Sequence, residues 1–235
     1  MRIDKLLSNM GIGSRKEVKE YIKKGLVKIN GVTVEKPTLK VNESQDEITF
    51  EGEQIIYEKY IYLMMNKSKG VISATKGYNC KTVIDLLEEN YQNKNIFPAG
   101  RLDKDTEGLV FLTNNGILAH NLLSPKKKVV KKYFATVENP LTNKDIETFK
   151  NGIYIRELNY LTIPAKLEIL SEKECFVYIC EGKYHQVKSM FFETGNKVNY
   201  LKRISIGSLI LDEKLNPGEY RRLSDDELEE LMKFL

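Results

Sequence analysis

The sequence predicts an α+β fold in two parts: a small helix-helix-hairpin unit over residues 1–57 and a larger mixed domain, with a mainly antiparallel sheet, over residues 58–235. Three observations lead there. A chain of 235 residues exceeds one small domain, and 41% apolar residues suffice for a core. Residues 1–41 carry ten bases against four acids, although the whole chain nets only +4. From Tyr60 onward short β-type runs are interspersed with helix-type runs, the mixture expected of an antiparallel sheet with helices packed on it.

Taken in order, "DKLLSNMG" reads as a first helix, and "GSRKEVKEYIKKG" as a second. Ser14 and Glu17 have the spacing of a capping box, and Gly25 closes the run. Arg15, Lys16, Lys19 and Lys23 share one helical face, with Val18, Ile22 and Tyr21 supplying the apolar side. "VKINGVTV" places two β-type runs around Asn30-Gly31, the strongest short hairpin signal. The acidic "EKPTLKVNESQDEITFEGEQI" supplies the last strand, and a linker falls near residues 56–60. In the second part "IYLMMN", "GLVFLTN", "KKYFATVE", "AKLEIL" and "CFVYIC" are expected strands. "TVIDLLEEN", "GILAHNLLS", "NKDIETFKNG", "HQVKSMFFETG" and "SDDELEELMKFL" are expected helices, the last opening on a second capping pair, Ser224 and Glu227.

Several function classes are disfavoured. Apolar stretches such as "YIYLMM" are far below the roughly 20 residues of a membrane helix, and no signal-peptide core is visible, so a soluble, cytoplasmic protein is expected. Cys80, Cys175 and Cys180 cannot pair completely and read as reduced core thiols; with only His120 and His185 beside them, no metal site is expected. No P-loop, dinucleotide fingerprint or HExxH pattern occurs.

Three stretches could carry chemistry. "GRLDKDTEGLVFLTNNG" sets Asp103, Asp105 and Glu107 at alternate positions before an apolar run; in an extended segment they would point the same way. Such a cluster suits glycosidic chemistry, metal binding or a polar strand cap, and spacing does not choose among these. In "EGKYHQVKSMFFETG" a helix from His185 would put His185, Lys188, Ser189 and Phe192 on one face and Val187, Met190, Phe191 and Thr194 on the core side, so Lys188 could reach a pocket. "SPKKKVVKKYFATVE" joins five lysines to Tyr133 and Phe134, a pattern that fits either RNA binding or a solvated loop.

In this order, behind a basic N-terminal unit, "GRLDKDTEGLVFLTNNG", "KKYFATVE" and "EGKYHQVKSMFFETGNKVNYLKRISIG" closely resemble the RsuA-like bacterial ribosomal RNA pseudouridine synthases. The stretch "MRIDKLLSNMGIGSRKEVKEYIKKGLVKINGVTV" resembles their small RNA-binding domain, the alpha-L motif shared with a ribosomal small-subunit protein. The resemblance covers essentially the whole chain. It implies that Asp103 is catalytic, that Tyr133 stacks on the uracil, that Lys188 is the basic partner of Asp103, and that His185 and Gln186 lie in the substrate site. Arg101 is expected to prop the flipped strand, leaving Asp105 and Glu107 as supporting residues. Arg2, Lys5, Ser14, Arg15, Lys16, Lys19, Lys28 and Asn30 are the expected RNA-binding positions of the first domain. No cofactor is implied; the expected partner is 16S rRNA in a small-subunit assembly intermediate, modified by a monomer, with 23S rRNA as the alternative target. Two departures stand out: Ser68 in "NKSKG", where many relatives carry proline, and Ser189, where many carry arginine. A non-catalytic RNA-binding protein would need only the basic unit, and a glycosidase is disfavoured by the absence of tryptophan.

Overall fold

The computed structural model describes all 235 residues. They form two compact units, Met1–Ile61 with Leu87–Ile96, and Tyr62–Leu86 with Phe97–Leu235.

In the first unit α1 (Ile3–Asn9) and α2 (Arg15–Lys23) pack beside an antiparallel sheet of β1 (Val27–Ile29), β2 (Val32–Thr33), β3 (Ile48–Phe50) and β4 (Glu53–Gln54), in the order β2-β1-β3-β4. The capping box forms as expected: Ser14 Oγ accepts from Glu17 N at 3.3 Å, and the Glu17 carboxylate accepts from Ser14 N at 2.7 Å. Val18 and Ile22 join Ile3, Leu6, Leu7 and Val27 in the core, so the lysines of α2 are left on the solvent side. Asn30 and Gly31 both adopt left-handed backbone, with φ of 49° and 80°, the pair that a two-residue hairpin with the strands' own twist requires.

The second unit is built on a nine-stranded sheet. Its main path runs β11 (Lys166–Ser171), β12 (Glu174–Ile179), β8 (Lys131–Val137), β13 (Val198–Ile206), β7 (Glu107–Thr113), β5 (Tyr62–Lys67) and β15 (Tyr220–Arg222). β6 (Phe97–Ala99) pairs with β7 and β14 (Leu209–Ile210) with β13, while β9 (Tyr154–Ile155) and β10 (Tyr160–Leu161) form a separate hairpin. Every pairing is antiparallel except that of β7 with β13. There Gly108 has φ +100°, and a Cβ on it would stand 2.3 Å from the Arg203 carbonyl oxygen, so only glycine lets the two strands approach this closely.

Helices α4 (Gly116–Leu123), α5 (Asn143–Asn151), α6 (Gln186–Glu193) and α7 (Asp225–Met232) occupy the expected positions. Leu118 and Leu122 of α4 and Leu231 of α7 cover Met64, Leu109 and Phe111 of the sheet, while Phe149 of α5 meets Phe191 of α6 with ring centroids 4.9 Å apart.

Two expectations are corrected. "TVIDLLEEN" is not a helix as a whole; only its last two residues enter a short helix, α3 (Glu89–Gln92). Its backbone is drawn elsewhere: Val83 N donates to Ile72 O at 3.0 Å, and the Asp85 carboxylate accepts from both Thr82 N and Thr82 Oγ1, closing a turn in place of a helical one. The cysteines are free, but only Cys175 is a core thiol, its pKa pushed up to about 12 by burial; Cys80 and Cys180 are half-buried. No helix is long and apolar enough to cross a membrane.

Candidate active site

The three acids do not stand in an extended run. Asp103 lies in a turn between β6 and β7, Asp105 on that turn, and only Glu107 begins the strand. A turn breaks the two-residue alternation, so Glu107 is parted from the other two carboxylates. Lys188, from the first turn of α6, places its ammonium 3.1 Å from Asp103 Oδ2 and 2.6 Å from Asp105 Oδ1. Glu107 instead accepts a hydrogen bond from the Tyr200 hydroxyl at 2.6 Å, and burial together with this carboxylate raises the Tyr200 pKa.

The turn is clamped from beneath. Lys67, at the end of β5, is fully buried, and its ammonium donates to the carbonyls of Ser68 at 2.9 Å, Thr106 at 2.8 Å and Lys104 at 3.4 Å. The Ser73 hydroxyl donates to Leu102 O and accepts from Leu102 N, and Gly70 N donates to Lys104 O at 2.8 Å. With Ser68 in place of proline, the loop is therefore held by bonds on both sides of that position. Lys67 was not singled out from the sequence; its role depends on a strand and a turn meeting in space.

Electrostatics define the charge state of this cluster. Burial lowers the Lys188 pKa, but its bonds to Asp105 and Asp103 outweigh this and hold it above the ordinary lysine value, so it stays cationic. Burial raises Asp105, and the opposing bond and charge of Lys188 bring its carboxyl below the usual range. Lys67 is pushed down to about 8 by burial, with Glu107, Asp105 and Asp103 opposing. Since that value lies below 10.5 for a free lysine, the unfolded chain holds more protons between pH 8 and 10.5, and stability owed to this group rises with pH there. Wild type is thus expected to gain on the order of 2 to 3 kcal/mol over Lys67→Met across that window in urea unfolding. A pH-independent difference between the two would contradict the lowered Lys67 pKa.

Tyr133 sits on the sheet side that holds this turn. Register places Val177, Tyr133, Arg203, Gly108 and Lys67 side by side across β12, β8, β13, β7 and β5, so their side chains share a face. Tyr133 is 8% exposed, Arg203 is buried with Nε donating to Leu109 O, and Lys131 is buried with its pKa lowered by burial and by Arg203. His185 begins α6 in left-handed conformation, φ 48°, with Nε2 3.5 Å from Asp103 Oδ1. Arg101 is exposed beside the turn. Gln186 is the exception among the expected substrate residues: it is buried, donates to Glu181 Oε1 at 2.7 Å and accepts from Lys183 N at 2.9 Å, which makes it a brace for the 181–186 turn. The α6 faces are as expected, with Val187, Met190 and Phe191 buried and Phe192 exposed.

In the first unit Lys5, Arg15, Lys16, Lys19 and Lys28 are exposed. Arg2, Ser14 and Asn30 are exposed too but engaged internally, Arg2 with Asp4, Ser14 in the capping box, and Asn30 with Asp46 and Glu47 N.

Comparison with known proteins identifies the family. Residues 61–193, more than half of the chain, match the family model described as RNA pseudouridylate synthase, and residues 1–48 match the S4 domain. The chain belongs to the RNA pseudouridylate synthase family. This synthase is 49% identical over 97% of both chains to an uncharacterized RNA pseudouridine synthase of Bacillus subtilis. It is 40% identical to the ribosomal small subunit pseudouridine synthase A of Vibrio cholerae, over 99% of this chain and all of that one, and 35% identical to the Escherichia coli protein of that name, over 97% and 98%. A solved pseudouridylate synthase superposes with a TM-score of 0.70 at 37% identity, covering 98% of this chain and 99% of its own. The synthase is therefore an isomerase with an S4 RNA-binding domain ahead of its catalytic fold.

Proposed function

We propose that this synthase converts one uridine of small-subunit rRNA, the uridine 516 equivalent in standard 16S numbering, into pseudouridine. The observation that carries the chemistry is Asp103, held on a clamped turn with Lys188 at 3.1 Å and His185 at 3.5 Å. Isomerisation breaks the bond from ribose C1′ to uracil N1, turns the base and joins C1′ to C5; C5 gives up its proton and N1 takes one up. Nothing is oxidised and no water is consumed, so no cofactor is needed. Whether Asp103 attacks C1′ or removes a sugar proton, its carboxylate does so beside the Lys188 ammonium, 3.1 Å away. The uridine must leave its stack to reach this turn, and Tyr133 offers a ring on the same sheet face for the extruded base. Arg101 props the strand from which it came.

The small-subunit target is supported by the full-length likeness to proteins named for that subunit. Extrusion costs least where RNA is incompletely paired, which favours a 16S assembly intermediate in the cytoplasm as substrate and a monomer acting on it. We place the domain boundary after residue 57, so that the exposed bases of the first domain form one RNA-binding module. Replacing Arg15, Lys16 and Lys19 together with alanine is expected to weaken rRNA binding and to flatten the slope of log affinity against log salt by about 0.7 to 0.9 per lost phosphate contact. An unchanged slope would reduce that face to a solvated surface. Tritium release from C5-labelled transcripts tests the function directly: release from 16S RNA is expected, release from 23S RNA alone would move the target, and release from neither would remove the enzymatic reading.

A further inference from the structure

Next to Asp103 the chain displays an aromatic ring that the bond exchange does not use. Tyr184 is 60% exposed, and its ring lies on that of His185, with centroids 3.7 Å apart and planes 23° from parallel. His185 is the residue whose Nε2 stands 3.5 Å from Asp103. Tyr184 is thus two side-chain contacts from the carboxylate that must reach the ribose.

The turn that presents this pair is tightly braced. Glu181, 3% exposed, accepts hydrogen bonds from the Tyr160 hydroxyl at 2.6 Å, Ile163 N at 2.9 Å and Gln186 Nε2 at 2.7 Å. Gln186 in turn accepts from Lys183 N, so both ends of the segment around Tyr184 are tied to buried groups. His185 carries a positive φ, an unfavourable backbone state for a residue with a side chain, and one that persists only where its surroundings enforce it. Buried bonds and local strain therefore hold in place a tyrosine that contributes little packing of its own.

We propose that Tyr184, backed by His185, is a stacking platform for the nucleotide adjacent to the flipped uridine. The inference rests on the reading of this protein as a uridine isomerase. Extruding a base strips its neighbour of a stacking partner, and an aromatic ring at the mouth of the site replaces that contact without reading base identity. Lys183, bonded to the same brace and over the Tyr160 ring at 4.5 Å, lies one residue away as a cation for the backbone of that nucleotide.

The test compares full-length wild type with Tyr184→Ala, Tyr184→Phe and Tyr184→Trp on C5-tritiated rRNA, with thermal midpoints as a check on folding. Tyr184→Ala is expected to raise KM roughly 5- to 100-fold, the range of one lost base stack, with kcat little changed. Phe and Trp are expected to restore KM, since the ring and not the hydroxyl makes the contact. A 2-aminopurine beside the target uridine is expected to be quenched by wild type and by Tyr184→Trp but not by Tyr184→Ala. An unchanged KM in Tyr184→Ala, a Phe variant as poor as Ala, or a fall in kcat alone would each overturn the platform. If wild type itself releases no tritium, the isomerase reading fails and the platform with it; an active wild type with an unaffected Ala variant sinks the platform alone.

Discussion

Asp103→Asn is expected to abolish isomerisation, lowering kcat by about 1,000-fold or more, while folding and RNA affinity stay close to wild type. The amide keeps the shape of the side chain but can neither attack C1′ nor take a proton. The site should survive the change, because Lys188 retains Asp105 at 2.6 Å and the turn is held through backbone groups by Lys67 and Ser73. Asp105 is the natural control. It is 61% exposed against 26% for Asp103, and Asp105→Asn leaves Lys188 its second partner, so a loss within about tenfold is expected. Single-turnover tritium release measures both; equal losses would indicate a mechanism that uses the two carboxylates together.

Lys188→Met is expected to lower kcat by about 100-fold. Its ammonium is shared by Asp103 and Asp105, and without it two carboxylates face each other across a partly desolvated turn. Removing the cation also takes from Asp105 the bond and charge that hold its carboxyl below the usual range. Wild-type Lys188, with its pKa held above the ordinary value, stays charged. Lys188→Arg keeps the charge but changes its geometry and should recover part of the rate. A methionine variant within fivefold of wild type would remove Lys188 from the site.

Local features were legible where neighbouring residues decide them. Ser14 with Glu17, Ser224 with Glu227 and Asn30 with Gly31 each specify a cap or turn through groups a few positions apart, and each forms. β8 was visible because its buried and open positions alternate strictly. β13, which lies between β8 and β7, was missed because Lys202 and Arg203 break the apolar pattern, although Arg203 is buried and bonded to Leu109 O. The site was legible in part for the same reason. Composition and spacing presented Asp103, Asp105 and Glu107 as one cluster, whereas the turn at Lys104 and Asp105 divides them between Lys188 and Tyr200. Lys188 and Asp105 meet across 83 positions, a distance no local pattern records, and only the family resemblance joined Lys188 to Asp103. Lys67 carried no signal at all beyond its place in "NKSKG", since its three carbonyl partners are supplied by a loop and a turn folded over it.

The most direct test of the central claim, that Asp103 of this synthase isomerises one small-subunit uridine, is carbodiimide-based pseudouridine mapping of both rRNAs from cells lacking the gene and from the same cells carrying wild type or Asp103→Asn. The account predicts that one 16S pseudouridine, at the position equivalent to uridine 516, disappears with the gene, returns with wild type and does not return with the asparagine variant. Disappearance of a 23S signal in its place would contradict the target, and recovery of the 16S signal by Asp103→Asn would contradict the chemistry.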